Sequence, residues 1–318
     1  MQDGFSKNSN ILIVGLGLIG GSIALALKKV GYKNIYAVDI NEKTLKYAWQ
    51  QEIIQKTTQN TQELLRKADL VILAIYPWHA KEFLQNNLAE FKSTAVVIDT
   101  SGIKEKLLNE VHTFWRKDID FIAIHQMAGK EQGGIENACD NLFVNTNFIV
   151  IEQETNRPEN IQAVIQLAKE MQVKEIVKLS AQEHDRIIAY TSNLTHLLAV
   201  ALVNSPSFSP ETKSFIGGSF RDVSRVALIN SNLWTQLLLA NSTNVLAEIK
   251  VFKEQLELLL DRFAKKPLYT VGRLGYKGFD EKGVLIADVE MMCNTLEDTV
   301  RDLKSEADKV YGQTAIPA

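Results

Sequence analysis

A histidine at position 125 ends a short apolar stretch, FIAI, and precedes a loop that contains Gly129, Gly133 and Gly134. An unperturbed imidazole titrates with a pKa of about 6.5, so His125 could accept a proton from an alcohol during a hydride transfer. The glycines leave backbone N–H groups free to approach a substrate. A histidine in this position can also cap a loop carbonyl, and position alone does not separate the two roles.

A glycine-rich turn near the N-terminus has the pattern of a dinucleotide-binding loop. It reads ILIVGLGLIGGS, follows an apolar strand and opens a helix, and an aspartate ends the next predicted strand. Such glycines permit a tight turn, the approach of a pyrophosphate and close helix packing, while the carboxylate binds the ribose hydroxyls. The predicted cofactor contacts are Gly15, Gly17, Leu18, Ile19, Gly20, Asp39, Ile75 and Pro77.

The same residues predict which dinucleotide is bound. A ribose 2′-phosphate would meet the negative charge of Asp39, and no arginine follows in DINEKT to offset that charge. We therefore expect NAD rather than NADP. The alternative is a structural glycine turn in an FAD-binding or nucleotide-free relative.

The elements that must position these residues alternate along the first half of the chain. Short apolar strands (NILIVG, NIYAVD, ADLVILAI, TAVVID and DFIAIH) are separated by segments with helical periodicity. Strands without polar alternation are buried on both faces, which is typical of a parallel sheet covered by helices. Two more strand candidates, NFIVIE and EIVKLS, follow. We predict an α/β, Rossmann-type doubly wound sheet over residues 1–180, which forms the dinucleotide-binding domain.

The second half has a different pattern, with no strand between residues 181 and 265. The stretch RIIAYTSNLTHLLAVALVN is apolar on nearly every face, which indicates a helix in a large core or a subunit interface. Residues 181–318 are therefore predicted to form an all-helical substrate and dimerisation domain, and the chain a homodimer. Residues 284–311 carry one apolar stripe and are predicted to pack on that domain as a C-terminal helical tail without a catalytic group.

The bulk composition is that of a soluble globular protein. Hydrophobic residues make up 46% of the 318, charged residues 23%, and the net charge is −3, which argues against a nucleic-acid partner. Two widely spaced cysteines indicate neither a disulfide framework nor a metal site and suit a reducing cytoplasm. The polar N-terminus lacks a signal-peptide core, and no apolar run approaches the ~20 residues of a membrane span.

Five motifs, in their order and spacing, resemble the prephenate/arogenate dehydrogenase family of tyrosine biosynthesis. They are GLGLIGGS, DTSGIK, HQMAGKEQGG, EHDRIIAYTSNLTH and GGSFRDVSRVA with a later tryptophan, between about residues 10 and 265. The resemblance implies a Rossmann domain and a dimerising helical domain. It also implies NAD(P)-dependent oxidation of the C4 hydroxyl of a cyclohexadienol, with loss of CO2 and aromatisation of the ring.

The resemblance assigns roles at matching positions. It implies that His125 hydrogen-bonds the C4 hydroxyl, that Arg225 binds the ring carboxylate with Asp222 as its partner, and that Trp234 lines the pocket. The implied catalytic residues are His125, Ser101 and His196; the implied substrate-binding residues are Arg225, Glu131, Gly129 and Trp234. An arginine also suits bidentate carboxylate recognition on chemical grounds.

Three positions depart from the family pattern. Gln126 replaces the usual proline after the histidine, and Asn193 replaces the first histidine of the paired motif. The sequence DTSG reverses the usual order, so Ser101, Thr100 or neither could supply the hydroxyl. His184 and Asp185 are interpreted as a pair at a helix start without a chemical role. His79 and His112 are interpreted as surface residues.

The predicted function is NAD-dependent oxidative decarboxylation of prephenate to 4-hydroxyphenylpyruvate. Arogenate dehydrogenase is the nearest alternative, since its substrate differs only in a side-chain amine. A β-hydroxyacid dehydrogenase would need a catalytic lysine on the first long helix after residue 181, which is absent there. A nucleotide-sensing Rossmann protein is the non-enzymatic alternative, which the joint presence of His125, His196 and Arg225 disfavours.

Overall fold

A computed structural model of the chain describes residues 4–55, 60–130 and 132–264. Within these ranges, seven strands form one sheet with the order β2-β1-β3-β4-β5-β6-β7. The strands are β1 Asn10–Val14, β2 Asn34–Val38, β3 Leu70–Leu73, β4 Val96–Asp99, β5 Asp120–Gln126, β6 Asn147–Ile151 and β7 Glu175–Leu179. All seven coincide with strands predicted from the sequence.

Six helices connect the strands. They are α1 Leu18–Lys29, α2 Glu42–Gln50, α3 Thr61–Lys67, α4 Pro77–Asn87, α5 Glu105–His112 and α6 Pro158–Glu170. Two separate hydrophobic clusters cover the two faces of the sheet, one around Ile11 and Ile13, the other around Leu12 and Val14. Because consecutive residues of β1 enter opposite clusters, the strand is buried on both faces, as its unbroken apolar sequence predicts.

The direction of the last two strands could not be predicted from the sequence. β1 to β5 run parallel, as expected, but β6 pairs with β5 in the antiparallel direction and β7 runs parallel to β6. The chain between β5 and β6 contains, where it is described, only a short 3-10 turn, Ile135–Asn137. It therefore returns beside β5 without a helical crossover, and two neighbouring strands joined in this way are antiparallel.

Helices account for all regular structure that the structure describes after β7, as the sequence predicts. They are α7 Ala181–Ile188, α8 Thr195–Val203, α9 Gly218–Ser224, α10 Ser231–Ala240 and α11 Ser242–Ala264. A π-helical segment, Ala189–Leu194, joins α7 to α8, and 3-10 turns span Pro210–Phe215 and Arg225–Ala227. The fold class is therefore confirmed, while the predicted tail helix at residues 284–311 lies outside the described residues.

The first helical run after the sheet passes a length-and-composition test for a membrane span. Ala181–Val203 has 23 residues and a mean hydropathy of 1.3 over its most apolar window, of which 28% is buried. Core helices of soluble proteins pass the same test. The buried face of this run carries His184, Asp185 and Asn193, so the run holds polar groups inside the protein.

The domain division at residue 180 stays a prediction. β7 ends at Leu179 and α7 begins at Ala181, with Ser180 as the helix cap. However, the chain up to Ile249 forms one compact unit, and Lys250 begins a second. The helices from α7 to α10 thus belong to the same compact unit as the sheet, which lets them contribute side chains to a site at its edge.

Candidate active site

The glycine turn after β1 is shaped by backbone contacts that only glycine allows. Gly15 has φ +90°, and a Cβ there would lie 2.6 Å from the carbonyl oxygen of Ala74. At Gly20 a Cβ would lie 1.9 Å from the carbonyl oxygen of Gly15, so α1 packs directly against the turn. A Cβ on Gly17, by contrast, would meet no protein atom within 4 Å. This is the open position at a helix N-terminus where a pyrophosphate could approach.

Asp39 lies at the mouth of this turn with both carboxylate oxygens oriented by backbone. Oδ2 accepts a hydrogen bond from Leu16 N at 2.7 Å, and Oδ1 accepts one from Asn41 N at 2.8 Å. Each oxygen keeps lone pairs for a further donor such as a ribose hydroxyl. A cleft of about 480 Å³ opens beside it, lined among others by Gly15, Asp39, Ile75 and His79.

The other predicted cofactor contacts lie around the same turn. Leu18 is buried and Ile19 half-buried in the first turn of α1, and buried Pro77 begins α4. The structure thus brings together the turn, Asp39 and Ile75. His79 is exposed, as expected for a surface residue, but it lines the cleft, which the sequence did not indicate.

His125 stands near the carboxyl end of β5, at the edge where ligands bind in open α/β sheets. Its Nδ1 lies 2.8 Å from Nε2 of His184, with the two rings at an interplanar angle of 62°. Within the described ranges, no hydrogen bond joins the other nitrogen of His125, Nε2. The contact with His184 was not predicted from the sequence.

His184 and Asp185 are both buried and together link α7 to α5. His184 Nδ1 lies 2.7 Å from Asp185 Oδ1. The Asp185 carboxylate also accepts hydrogen bonds from the backbone N–H groups of Lys104 and Glu105, each at 2.9 Å. The interpretation of His184 and Asp185 as a capping pair at the start of their own helix was wrong. Ser180 caps α7 through a capping box, and the Asp185 carboxylate instead accepts hydrogen bonds at the start of α5.

A buried ion pair lies beside this pair. The Nζ atom of Lys104, whose side chain has no exposed surface, is 2.6 Å from Oδ2 of Asp99, the last residue of β4. Ser101 Oγ lies 2.8 Å from the same carboxylate oxygen and 2.9 Å from the carbonyl of Ile103. Thr100 Oγ1 donates to the carbonyl of Leu73. The hydroxyls of Ser101 and Thr100, the two considered for catalysis, therefore both form hydrogen bonds within the protein.

The pKa of His125 lies well below its ordinary value of 6.5. Burial is the largest cause, because desolvation disfavours the charged imidazolium, and the positive charges of His184, when protonated, and Lys104 act in the same direction. Burial also lowers the pKa of His184, although its hydrogen bond to Asp185 opposes the shift. Both imidazoles are therefore neutral near neutral pH.

A second cluster joins three further predicted residues. The His196 ring lies 3.9 Å, centroid to centroid, from the ring system of Trp234, and its Nδ1–H donates to the carbonyl of Ser192 at 2.8 Å. The pKa of His196 is lowered, mainly by burial, while the hydrogen bond to Ser192 raises it and the positive charge of Arg225 lowers it. Arg225 and Asp222 are exposed around the end of α9.

Helix α10 connects the surroundings of the two histidines. Trp234 stacks on His196, and Leu237 follows one helical turn later. Leu237 lies close to Gly102: a Cβ on Gly102 would be 3.4 Å from Leu237 Cδ2 and 4.0 Å from His125 Cε1. Gly129, in the loop after β5, is exposed, with open space where a Cβ would stand. Glu131, predicted to contact the substrate, lies outside the described residues.

Asn193, which departs from the paired-histidine pattern, has a structural role. It is buried in the π-helical segment, and its Oδ1 accepts a hydrogen bond from Asn241 Nδ2 at 2.9 Å. Asn241 also donates to the carbonyl of Asp185 at 2.8 Å. The two asparagines therefore fix the part of α7 that carries His184. Gln126 is buried, and its side-chain oxygen has no hydrogen-bond partner among the described residues.

Two family models match most of the chain. "Prephenate dehydrogenase, nucleotide-binding domain" matches residues 23–177, and "Prephenate dehydrogenase, dimerization domain" matches residues 180–266.

Similar proteins carry the same name. A prephenate dehydrogenase of Lactococcus lactis is 31% identical over 80% of this chain and 72% of its own length. One of Bacillus subtilis is 29% identical over 74% of this chain and 65% of its own length, so the match spans just under two thirds of that relative. The crystal structure of prephenate dehydrogenase from Aquifex aeolicus with hydroxyphenyl propionate and NAD+ superposes with a TM-score of 0.76 at 25% identity, covering 94% of this chain and 98% of that one. The chain belongs to the prephenate dehydrogenase family.

Proposed function

We propose that the chain catalyses the NAD-dependent oxidative decarboxylation of prephenate to 4-hydroxyphenylpyruvate. Family membership and the names of its relatives support this activity. The observation that carries the proposal is His125: a neutral imidazole near the carboxyl end of β5, with one nitrogen bonded to His184 and the other without a protein partner among the described residues. It is placed to accept a proton from a bound hydroxyl.

The glycine turn and Asp39 fit NAD as the cofactor. The open position at Gly17 and the N-terminus of α1 would hold the pyrophosphate, and the backbone-oriented carboxylate of Asp39 would accept hydrogen bonds from the adenosine ribose. A nucleotide-binding family model and an NAD+ complex of a relative support the same cofactor. When bound, NAD supplies the acceptor for the hydride that leaves C4 of the substrate.

His125 moves one proton in this reaction and then returns it. Its Nε2 accepts the proton of the C4 hydroxyl as the C4–H bond breaks, and a ring ketone forms. When the bond from the ring to its carboxylate breaks and CO2 leaves, the electron pair of that bond makes the ring aromatic and leaves a phenolate oxygen. The imidazolium returns its proton to that oxygen, so the product is a neutral phenol and no net proton is released.

Arg225 supplies the positive charge that a dianionic substrate requires in a chain of net charge −3. Its guanidinium can bind the ring carboxylate with two hydrogen bonds. His196, stacked on Trp234 and influenced by the charge of Arg225, offers an Nε2 lone pair because its Nδ1–H is donated to Ser192. We propose that these three side chains line the substrate pocket together with Gly129, and Glu131 as the resemblance implies.

Measurement of NADH formation by the purified chain tests the proposed function. With prephenate and NAD, we expect one CO2 and one 4-hydroxyphenylpyruvate for each NADH. Arogenate in place of prephenate, and NADP in place of NAD, should each give a lower kcat/KM. Failure of prephenate to yield NADH under any of these conditions would contradict the proposal, and a higher kcat/KM with arogenate would transfer it to that substrate.

We also propose a homodimer formed through the helical part of the chain and located in the cytoplasm. The match to a dimerization-domain model supports the dimer. So does the concentration of exposed large apolar side chains after β7, among them Tyr190, Phe215, Leu228, Leu239 and Leu246. Sedimentation velocity should show a dimer, and Leu246→Glu should shift it towards monomer; a monomeric wild type would contradict the dimer. Cell fractionation tests the location, since recovery with membranes would contradict it.

A further inference from the structure

We propose that His184 and Asp185 are positioning residues for the reaction, which together hold the proton of His125 on Nδ1 and keep its Nε2 free for the substrate hydroxyl. The inference rests on the proposed function, because it concerns the histidine that is assigned there as the base. It adds two residues for which the sequence indicated no chemistry.

The first step concerns the state of Asp185. Its side chain is buried and accepts hydrogen bonds from two backbone N–H groups at the beginning of α5, at 2.9 Å each. Both carboxylate oxygens face N–H donors and serve as the acceptors in these bonds. Asp185 therefore acts only as an acceptor.

The second step concerns the tautomer of His184. Its Nδ1 lies 2.7 Å from an oxygen of Asp185, so this nitrogen must carry the hydrogen. The burial of His184 and its lowered pKa keep the ring neutral, which leaves Nε2 with a lone pair. A neutral imidazole has one donor and one acceptor nitrogen, so His184 accepts at the nitrogen that faces His125.

The third step follows at His125. The 2.8 Å contact between Nδ1 of His125 and Nε2 of His184 requires one hydrogen, and His184 has none to give at that position. The hydrogen therefore belongs to Nδ1 of His125, and Nε2 carries the lone pair. In triads of an acid, a histidine and a nucleophile, an aspartate sets the tautomer of the reacting histidine in the same way. Here a second histidine stands between the acid and the base.

The protein around Asp185 and His184 holds these two side chains firmly enough to orient the ring of His125. Asp185 is fixed by the beginning of α5 on one side and, through its carbonyl, by Asn241 on the other. His184 is completely buried, so its ring has little room to turn away from His125. A purely structural role, in which the pair ties α7 to α5, would use the bonds of Asp185 but would not require the His125 contact.

Two substitutions of His184 separate the two roles. Gln places its side-chain oxygen near the position of histidine Nε2, so His184→Gln retains an acceptor for the His125 Nδ1–H. His184→Leu has similar bulk and no acceptor. The matched controls are His112→Gln and His112→Leu, since His112 is an exposed residue in the last turn of α5, outside the site.

The first readout is independent of activity. Nitrogen-15 NMR of the histidine side chains in the wild type should show His125 with hydrogen on Nδ1 and an unprotonated Nε2. His184→Gln should preserve that pattern, and His184→Leu should move the hydrogen of His125 to Nε2 in part or completely. A wild-type His125 with hydrogen on Nε2 would overturn the inference whatever the activity of the enzyme.

The second readout is the division between kcat and KM with prephenate. A wrong tautomer of the catalytic histidine costs about 10⁴-fold in kcat in a serine protease triad. We expect His184→Leu to lower kcat at least about tenfold with KM little changed, and His184→Gln to restore most of it. Equal kcat in the Leu variant and the wild type would overturn the inference. If His184→Leu does not fold, a His184→Gln variant with His125 protonated on Nε2 would also overturn it. Absence of wild-type activity would contradict the proposed function but leave the NMR test intact.

Discussion

Two turns at the same edge of the sheet are built in different ways. The turn after β1 consists of glycine backbone, and its one carboxylate, Asp39, is oriented by two backbone N–H groups. The turn after β4, together with His125 of β5 and the first part of α7, gathers two carboxylates, an ammonium group and two imidazoles: Lys104 pairs with Asp99, and Asp185 bonds to His184, which bonds to His125. The first turn can bind a ligand through its open shape and its backbone N–H groups. In the second turn, the charged side chains are already paired with one another within the protein.

This difference separates binding from chemistry. A pyrophosphate needs close backbone approach, so side chains are excluded from the first turn. A proton acceptor needs a defined tautomer and charge state, which only specific hydrogen-bond partners can fix. We therefore expect substitutions in the first turn to change cofactor affinity through steric contact, and substitutions in the second to change kcat or the stability of the fold.

The largest effect is expected for His125→Asn. Asparagine retains a hydrogen-bond donor but cannot accept the hydroxyl proton at neutral pH, and a general base contributes roughly 10²–10⁴-fold to the rate. In steady-state assays kcat should fall by that factor while KM for prephenate changes little. His112→Asn, on the exposed end of α5, is the control. A near-native kcat in the His125 variant would show that the buried cluster does not serve the base.

Lys104→Met should affect stability most. The substitution removes the partner of a fully buried carboxylate, Asp99, and an uncompensated buried charge typically costs about 3–5 kcal/mol. Chemical denaturation should show that loss in the free energy of unfolding. The exposed pair Lys178 and Glu152, with Nζ and Oε1 2.5 Å apart, gives the control: Lys178→Met should cost at most about 1 kcal/mol. Equal losses in both variants would contradict a charged, compensated interior in the second turn.

Arg225→Ala should raise KM for prephenate at least tenfold. Loss of a charge-assisted hydrogen bond to an ion costs about 1.5–3 kcal/mol, and this free energy corresponds to a tenfold or larger increase in KM. Arg221→Ala, one turn earlier on α9 and also exposed, should leave KM unchanged. If Arg225→Ala lowers the melting temperature but leaves KM at its wild-type value, the arginine is structural.

The smallest substitution effect is expected in the first turn. A methyl group at Gly17 meets no protein atom within 4 Å, so Gly17→Ala should fold with an unchanged melting temperature. It would occupy space proposed for the pyrophosphate, and KM for NAD should rise roughly tenfold, the loss of about one charge-assisted hydrogen bond. Gly20→Ala, whose Cβ would meet the Gly15 carbonyl at 1.9 Å, should lower the melting temperature as well. An unchanged KM for NAD in Gly17→Ala would place the phosphates elsewhere.

The first turn could be predicted from the sequence because its glycines lie within six residues, and two of them, Gly15 and Gly20, have a steric reason. The strands could also be predicted, since unbroken apolar runs are buried in the sheet. The directions of β6 and β7 could not, because strand residues of either direction have the same apolar character.

The second turn could be predicted only in part. His125 stands at a strand end, which draws attention to it, but its partner lies far away in the sequence, whereas Ser101 bonds to Asp99 and Ile103, each two positions away. Asp185 binds Lys104 across 81 positions, and His184 binds His125 across 59. A histidine next to an aspartate on a helix is compatible with many roles. Only the fold shows that this helix brings His184 to His125 and Asp185 to the backbone N–H groups at the start of α5.

The most direct test of the account is the pH dependence of kcat/KM for prephenate in the wild type. His125 must be neutral to accept the hydroxyl proton, so activity should fall when it becomes protonated. Because burial, with His184 and Lys104, holds the pKa of His125 well below 6.5, kcat/KM should stay level from neutral pH down through 6.5 and fall only at lower pH. Return to neutral pH should restore the activity, which separates protonation from unfolding. A reversible fall centred at or above pH 6.5 would contradict the account, because His125 would then not be the neutral base that the structure indicates.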